Sequence, residues 1–414
     1  MDVPGAPRPT LLVLAGYAAE EVERLAAELV DGTTAVVHHD LALITEGVVR
    51  RRLRIGPRDE TRVLELAHGC VSCTLREDLL PLVRRLALDD TVSRVVLHLD
   101  PTLEPEAVCW ALRHVVVEDG PVLDHVDLLG VTTVVDEGSW LSDATGDREL
   151  VEDGRAGSAD DERTVAQVVT AQAEFADLLL LTGQATDAWT GYRTRAVLDR
   201  LAPRSRRVAR EADLWAELAA LPPTARRGEV DDAHAPLLRG QPPVEPDAGV
   251  ELVLFSARRP FHPERLHDAL DVLLDGVVRS RGRVWVATQP DVALWLESAG
   301  GGLRVGHAGP WLAAADGEAW GSVDAERAAI AAARWHHRYG DRHQELVVLT
   351  HRASAGEITA ALREALLTED ELALGPAGWR RFDDPFGSWH TEPCEDGAQE
   401  RDAGVETTKG LDEQ

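Results

Sequence analysis

At 414 residues and 44% hydrophobic, the chain can fill two ordinary domain cores. Its formal net charge of −29 repels a phosphate backbone, which speaks against a protein built to grip DNA or RNA, and basic protein surfaces are the better partners. Four irregularly spaced cysteines, no basic start ahead of an apolar stretch and no apolar run near about 18 residues point to a soluble protein of a reducing cytoplasm with no membrane segment.

The first segment opens with PTLLVLAGY, an apolar run of strand length, then AAEEVERLAAELV with apolar residues at helical spacing. TTAVVHHD and RVLELAH read as strands, LREDLLPLVRRLAL as a helix and VSRVVLHLD as a buried strand. VDLLGVTTVVD and FADLLLLTG are further strands, with TVAQVVTAQAEFA a helix between them. Apolar strands alternating with amphipathic helices predict an α/β domain with a mostly parallel sheet over residues 1–225. Within it, residues 142–163 are acidic, Gly-rich and without period, the pattern of a surface insertion. The proline-rich segment 226–249 reads as an interdomain linker. Residues 250–390 form a second, smaller α/β unit: GVELVLFSARRPFHPERLHDALDVLL as strand and helix, RVWVATQ and HQELVVLTH as strands, ASAGEITAALREALL as a helix. Residues 391–414 are polar, charged and nearly free of apolar side chains, a disordered acidic tail.

The chemistry concentrates in LELAHGCVSCTLREDLL, where Cys70 and Cys73 precede a helix. Thr74 and Glu77 have capping-box spacing, which places Cys73 just ahead of the helix N-terminus, where the dipole favours a thiolate; Pro81 then kinks the helix at Leu80. A C-x-x-C at a helix start fits thiol exchange, half of a tetrahedral zinc site, or inert packing. Metal binding is the leading reading, with the remaining ligands supplied from elsewhere. His390 and Cys394 are candidates for them. His38, His39 and Asp40 are others, although one buried and one exposed histidine is the plainer reading. Cys109 lies on an apolar helix face and reads as core, and His336 and His337 as structural, diverging on a helix. The arginines at 50–52 and 54, and at 204, 206, 207 and 210, read as solvated faces. The eleven tryptophans fit either core or partner anchors.

ELAHGCVSCTLREDL resembles the cysteine motif of the CobW-like family of P-loop GTPases, which are linked to metal homeostasis, with Ser72 standing where the family has a middle cysteine. VTTVVD, TVAQVVTAQAEFADLLLLT, SARRPFHPERLH, GVVRSRGRVWVATQPD, YGDRHQELVVL and DDPFGSW extend the resemblance over nearly the whole chain. It implies a P-loop-type sheet domain followed by a CobW C-terminal domain, with zinc held by Cys70 and Cys73.

The departures bear on nucleotide. Where the family has G-x-x-x-x-G-K-[ST], this chain reads GYAAEEVE, with Glu21 for the second glycine, Val22 for the lysine and Glu23 for the magnesium-binding hydroxyl. Glutamates at 20, 21 and 23 would face a triphosphate, and one like-charge pair at about 4 Å costs roughly 4 kcal/mol at an effective dielectric near 20. HLDPTLEP puts Pro101 in a glycine's place, and the guanine-reading NKxD becomes TGQA at Thr182 to Ala185. Ordinary GTP binding and hydrolysis are not expected, which makes the chain a pseudo-GTPase. The combination of AHGCVSCTLREDLL, a lysine-free first loop and WLESAGGGLRV is similar to the actinobacterial CobW-like group that recruits a ribosome-hibernation factor. That resemblance implies action under zinc limitation, with a hibernation factor and ribosomal proteins as partners and no direct hold on nucleic acid. The alternative is a GTP-dependent zinc metallochaperone.

Overall fold

The computed structural model describes residues 8–66, 70–158, 161–209, 212–315, 320–321 and 323–387. In chain order the strands are β1 (Thr10–Ala15), β2 (Thr34–Asp40), β3 (Val48–Ile55), β4 (Arg58–Glu65), β5 (Arg94–His98), the short pair β6 (Val116–Val117) and β7 (Gly120–Pro121), β8 (Asp127–Asp136), β9 (Leu178–Thr182) and β10 (Arg206–Ala209). Apart from the short pair they form one sheet in the order β10-β9-β8-β1-β5-β2-β3-β4. It is parallel from β10 to β2, and β3 and β4 extend it as an antiparallel hairpin. The α/β expectation therefore holds, with helices Ala19–Glu28 and Val165–Phe175 among those covering the sheet. Thr164 and Gln167 form a capping box that starts the second of these.

The hairpin differs from the sequence reading. VVRRRLRI alternates as a strand should, but Arg51 interrupts its inward series of Val49 and Leu53, and the run of arginines disguised it as a solvated cluster. Arg51 and Arg54 are buried, each held by a carboxylate: Asp78 for Arg51 and Glu23 for Arg54. Paired charge is what permits burial there.

A second sheet follows: β11 (Glu251–Ala257), β12 (Val277–Val284), β13 (Val292–Ala299), β14 (Gly302–Pro310) and β15 (Gln344–Thr350), in the order β11-β15-β12-β13-β14 and antiparallel throughout. The strand expected at RVWVATQ lies earlier, in VVRSRGRV, and the β13–β14 hairpin was not anticipated. Gly282, at φ 159°, stands where a Cβ would collide with the Glu345 carbonyl at 1.9 Å, so β12 and β15 close up only around glycine. Val250, Val278 and Leu349 share one core cluster with Val168 and Leu198 of the first unit, and Arg279 Nε reaches Glu174 Oε2 at 3.2 Å. Segment 226–249 runs along the second sheet: fully buried Arg283 donates to the carbonyls of Ala233 and Ala235, both at 2.8 Å.

Trp285 and Trp311 are core, whereas Trp110, Trp189 and Trp335 are exposed. Cys109 is fully buried, and burial pushes its thiol up to about 12. The histidine pair is not helical, because the helix Ala325–Arg334 ends before it. His336 instead bridges to Gly340, and its ring lies 4.3 Å from that of His337. No described helix is long and apolar enough to cross a membrane.

Candidate functional site

The first turn sits at the carboxyl end of β1, where open α/β sheets bind ligands. Gly16 (φ 153°) is packed so tightly that a Cβ would meet the Val134 carbonyl and Val22 Cγ2, each at 2.8 Å. The helix starts at Ala19, leaving only Tyr17 and Ala18 between the glycine and the helix. Consequently the amides of Glu21 and Val22, at the second-glycine and lysine positions, are spent on the Ala18 carbonyl at 3.0 and 3.1 Å. Amides that cradle a phosphate must be free and convergent. Val22 is 1% exposed and belongs to the core with Leu25 and Val134.

The three glutamates are not equivalent. Glu20 is exposed in the first turn and Glu21 pairs with Arg24. Glu23 is clamped: Arg54 donates to both its oxygens at 2.8 and 3.1 Å, Arg52 adds a third bond at 3.0 Å, and His98 Nδ1 lies 3.4 Å away. Its charge is compensated, as is that of Glu21 by Arg24, so the expected repulsion falls mainly to Glu20. His38 stacks on His98 at 4.1 Å and its Nδ1 donates to the His98 carbonyl at 3.0 Å. Burial, with His38 and the two arginines, pushes His98 down to about 3.

The segment expected as a surface insertion closes over this turn. Leu150 is fully buried, Tyr17 Oη donates to Asp153 Oδ2 at 2.5 Å, and the Arg155 guanidinium covers the Tyr17 ring at 4.7 Å while donating to the Tyr17 carbonyl at 3.3 Å. Burial and the bond to Asp153 push the Tyr17 phenol up. In the second degenerate motif, Asp100 accepts from the Leu41 amide at 2.9 Å and from the Thr102 amide and hydroxyl at 3.0 and 2.7 Å. At TGQA, a Cβ on Gly183 would strike Asp136 Oδ1 at 2.0 Å.

The cysteine helix begins earlier than its capping-box spacing suggested. Cys70, in extended conformation, is the N-cap, its sulfur accepting from the Cys73 amide at 3.3 Å; Thr74 lies inside the helix Val71–Thr74. Pro81 is accommodated without the expected break at Leu80, because a π-helical turn over Leu75–Leu79 precedes the helix Leu80–Ala87, and the Leu80 amide reaches back to the Leu75 carbonyl. That wide turn aims Asp78 at His39 Nε2 (2.8 Å) and Arg51, tying the cysteine helix to β2 and β3. Burial opposes ionisation of Asp78, but His39 and Arg51 outweigh it and hold the carboxyl low.

Cys70 and Cys73 are half-exposed, with sulfurs 3.1 Å apart. The expected thiolate is not found at Cys73: the hydrogen bond with Cys70 above all, then partial burial and the charges of Cys70 and Glu77, push its thiol up to about 11. Tetrahedral zinc with bonds of about 2.3 Å sets its sulfurs roughly 3.7 Å apart, so a small opening fits the pair to two of four positions. Among the described residues no three His, Cys, Asp or Glu side chains are grouped to hold a metal. His39 is committed to Asp78, His38 to His98, and Asp40 to Arg50 at 2.7 Å. His390 and Cys394 lie outside the described residues.

The CobW/HypB/UreG nucleotide-binding domain matches residues 22–212, beginning just past the collapsed turn, and the cobalamin synthesis protein cobW C-terminal domain matches residues 250–366. A zinc chaperone of Mycobacterium tuberculosis is 48% identical over 373 residues, covering 88% of this chain and 89% of that protein. The chain belongs to the CobW-like family of P-loop GTPases. A more distant relative, the zinc-regulated GTPase metalloprotein activator 1 of Dictyostelium discoideum, is 26% identical over 92% of this chain and 82% of its own length. The Zn(II)-bound YjiA GTPase from E. coli is 15% identical, covering 87% of this chain and 100% of that chain at a TM-score of 0.35.

Proposed function

We propose that this CobW-like chain is a zinc-linked cytoplasmic adaptor, a pseudo-GTPase that recruits a hibernation factor to ribosomes when zinc is scarce. The observation that carries the nucleotide half is the collapsed first turn, whose two phosphate-facing amides are consumed by the Ala18 carbonyl and whose lysine position is a buried valine. The zinc half is supported by the paired Cys70 and Cys73 and by the names of the two relatives. Cys70 and Cys73 would supply two thiolates and the partner, or His390 and Cys394, the rest. The partner half draws support from the motif resemblance and from charge: a −29 chain meets basic ribosomal proteins or a basic factor with steered encounter.

Binding of GTP with magnesium, measured with and without zinc, tests the first half, and micromolar affinity with turnover would overthrow it. Zinc stoichiometry of Cys70→Ser and Cys73→Ser tests the second, with metal expected to be lost in both. Capture of ribosomal proteins and hibernation factor from zinc-starved but not zinc-replete cells tests the third. The second reading, a GTP-dependent zinc metallochaperone, is favoured by the relatives' names, and GTP turnover that depends on zinc would select it.

A further inference from the structure

The sulfurs of Cys70 and Cys73 stand at a separation that serves two chemistries. At 3.1 Å they are about 0.6 Å short of a zinc-bound pair and about 1 Å wider than a disulfide bond. The backbone brings both cysteines to one helix start. Cys70 is the extended N-cap, Cys73 lies three residues into the helix, and the Cys73 amide donates to the Cys70 sulfur. Both thiols are accessible, whereas Cys109 is sealed in the core. Ser72, exposed between them, brings no third sulfur, and the described residues offer no ligand group that would hold the pair open around a metal.

We propose that Cys70 and Cys73 are a dithiol–disulfide couple, oxidised by small-molecule disulfides, and that the closed form refuses zinc. One cysteine thiolate attacks a sulfur of the oxidant, giving a mixed disulfide and releasing one small thiol. The second cysteine thiolate attacks the first cysteine's sulfur, so the Cys70–Cys73 bond forms as the mixed-disulfide bond breaks and the other small thiol leaves. Two electrons and two protons pass from the cysteines to the two thiols released. The zinc-refusing half rests on the zinc reading above; the disulfide itself does not.

The test uses the full chain, zinc-free, exposed to oxidised glutathione, with digestion by trypsin and mass analysis of peptide 63–76. The expected result is a peptide lighter by two hydrogens, reversed by dithiothreitol, while Cys70→Ser and Cys73→Ser each retain a stable glutathione adduct on the remaining thiol. Oxidised protein is expected to lose zinc uptake and regain it on reduction, and zinc-loaded protein to resist oxidation. Persistence of two free thiols, or stable adducts on both cysteines of the unsubstituted chain, overturns the couple. A disulfide that forms while zinc uptake is unchanged overturns the switch, and a disulfide in a protein that never binds zinc leaves the couple standing and removes only the zinc reading.

Discussion

Val22→Lys restores the side chain that the phosphate loop lacks, and the structure predicts that it does not restore the nucleotide site. Val22 is 1% exposed, wedged between Gly16, Leu25 and Val134. An ammonium there is deprotonated at neutral pH, because burial lowers a lysine pKa by about 3–5 units. Holding the neutral form at pH 7 against an unfolded pKa near 10.4 costs about 4–5 kcal/mol at roughly 1.4 kcal/mol per unit. Domains carry only about 5–15 kcal/mol. The sign follows from linkage: the folded state binds fewer protons than the unfolded state between the two pKa values. The penalty therefore shrinks by about 1.4 kcal/mol for each unit the pH rises towards 10. Urea unfolding of Val22→Lys at pH 7, 8 and 9 measures this, alongside GTP binding. A variant within about 1 kcal/mol of the parent at pH 7, with GTP bound, would refute the inward placement of residue 22.

Tyr17→Phe removes the donor to Asp153, at a cost of about 1 kcal/mol, and is expected to speed amide exchange across residues 148–155; unchanged exchange would detach that segment from the first turn. Arg283→Met leaves the carbonyls of Ala233 and Ala235 without their buried donor, while Glu345 keeps Arg334, and should lower stability by about 1–3 kcal/mol in urea unfolding. Burial raises the Glu345 pKa, but His343, Arg334 and Arg283 outweigh it and hold the carboxyl far below its usual 4.5. Glu345 therefore contributes stability above pH 4.5 that is lost as the pH falls towards the folded value, and Glu345→Gln should flatten that acid limb. His98 is expected to show no charge change by NMR between pH 5 and 8, and a titration midpoint near 6.5 would mean that it is not buried against Arg54.

Much of the fold is readable from local periodicity. The apolar runs at β1, β5, β8 and β9, interrupted by amphipathic helices, announce a covered parallel sheet because that pattern is a property of neighbouring residues. β3 was missed because its inward positions carry Arg51 and Leu53 rather than an unbroken apolar series. The carboxylate that makes Arg51 tolerable, Asp78, lies 27 residues away. β14 escaped for a related reason: GLRVGHAGP is glycine-rich and weakly apolar, and it is held by pairing with β13 rather than by its own preference.

At the candidate site, sequence alone established the cysteine pair, the missing lysine and the altered base-reading loop, since each is a matter of residue identity. Tertiary structure decided what those residues do. It turned Glu23 from a repulsive charge into one clamped by Arg52 and Arg54, and it folded Asp153 back 136 residues to Tyr17. It also spent the amides of Glu21 and Val22 within their own helix and set the two sulfurs within reach of each other. The physical reason is that a charge or a donor has no fixed worth along a chain; its free energy is set by the partner and dielectric that folding places around it.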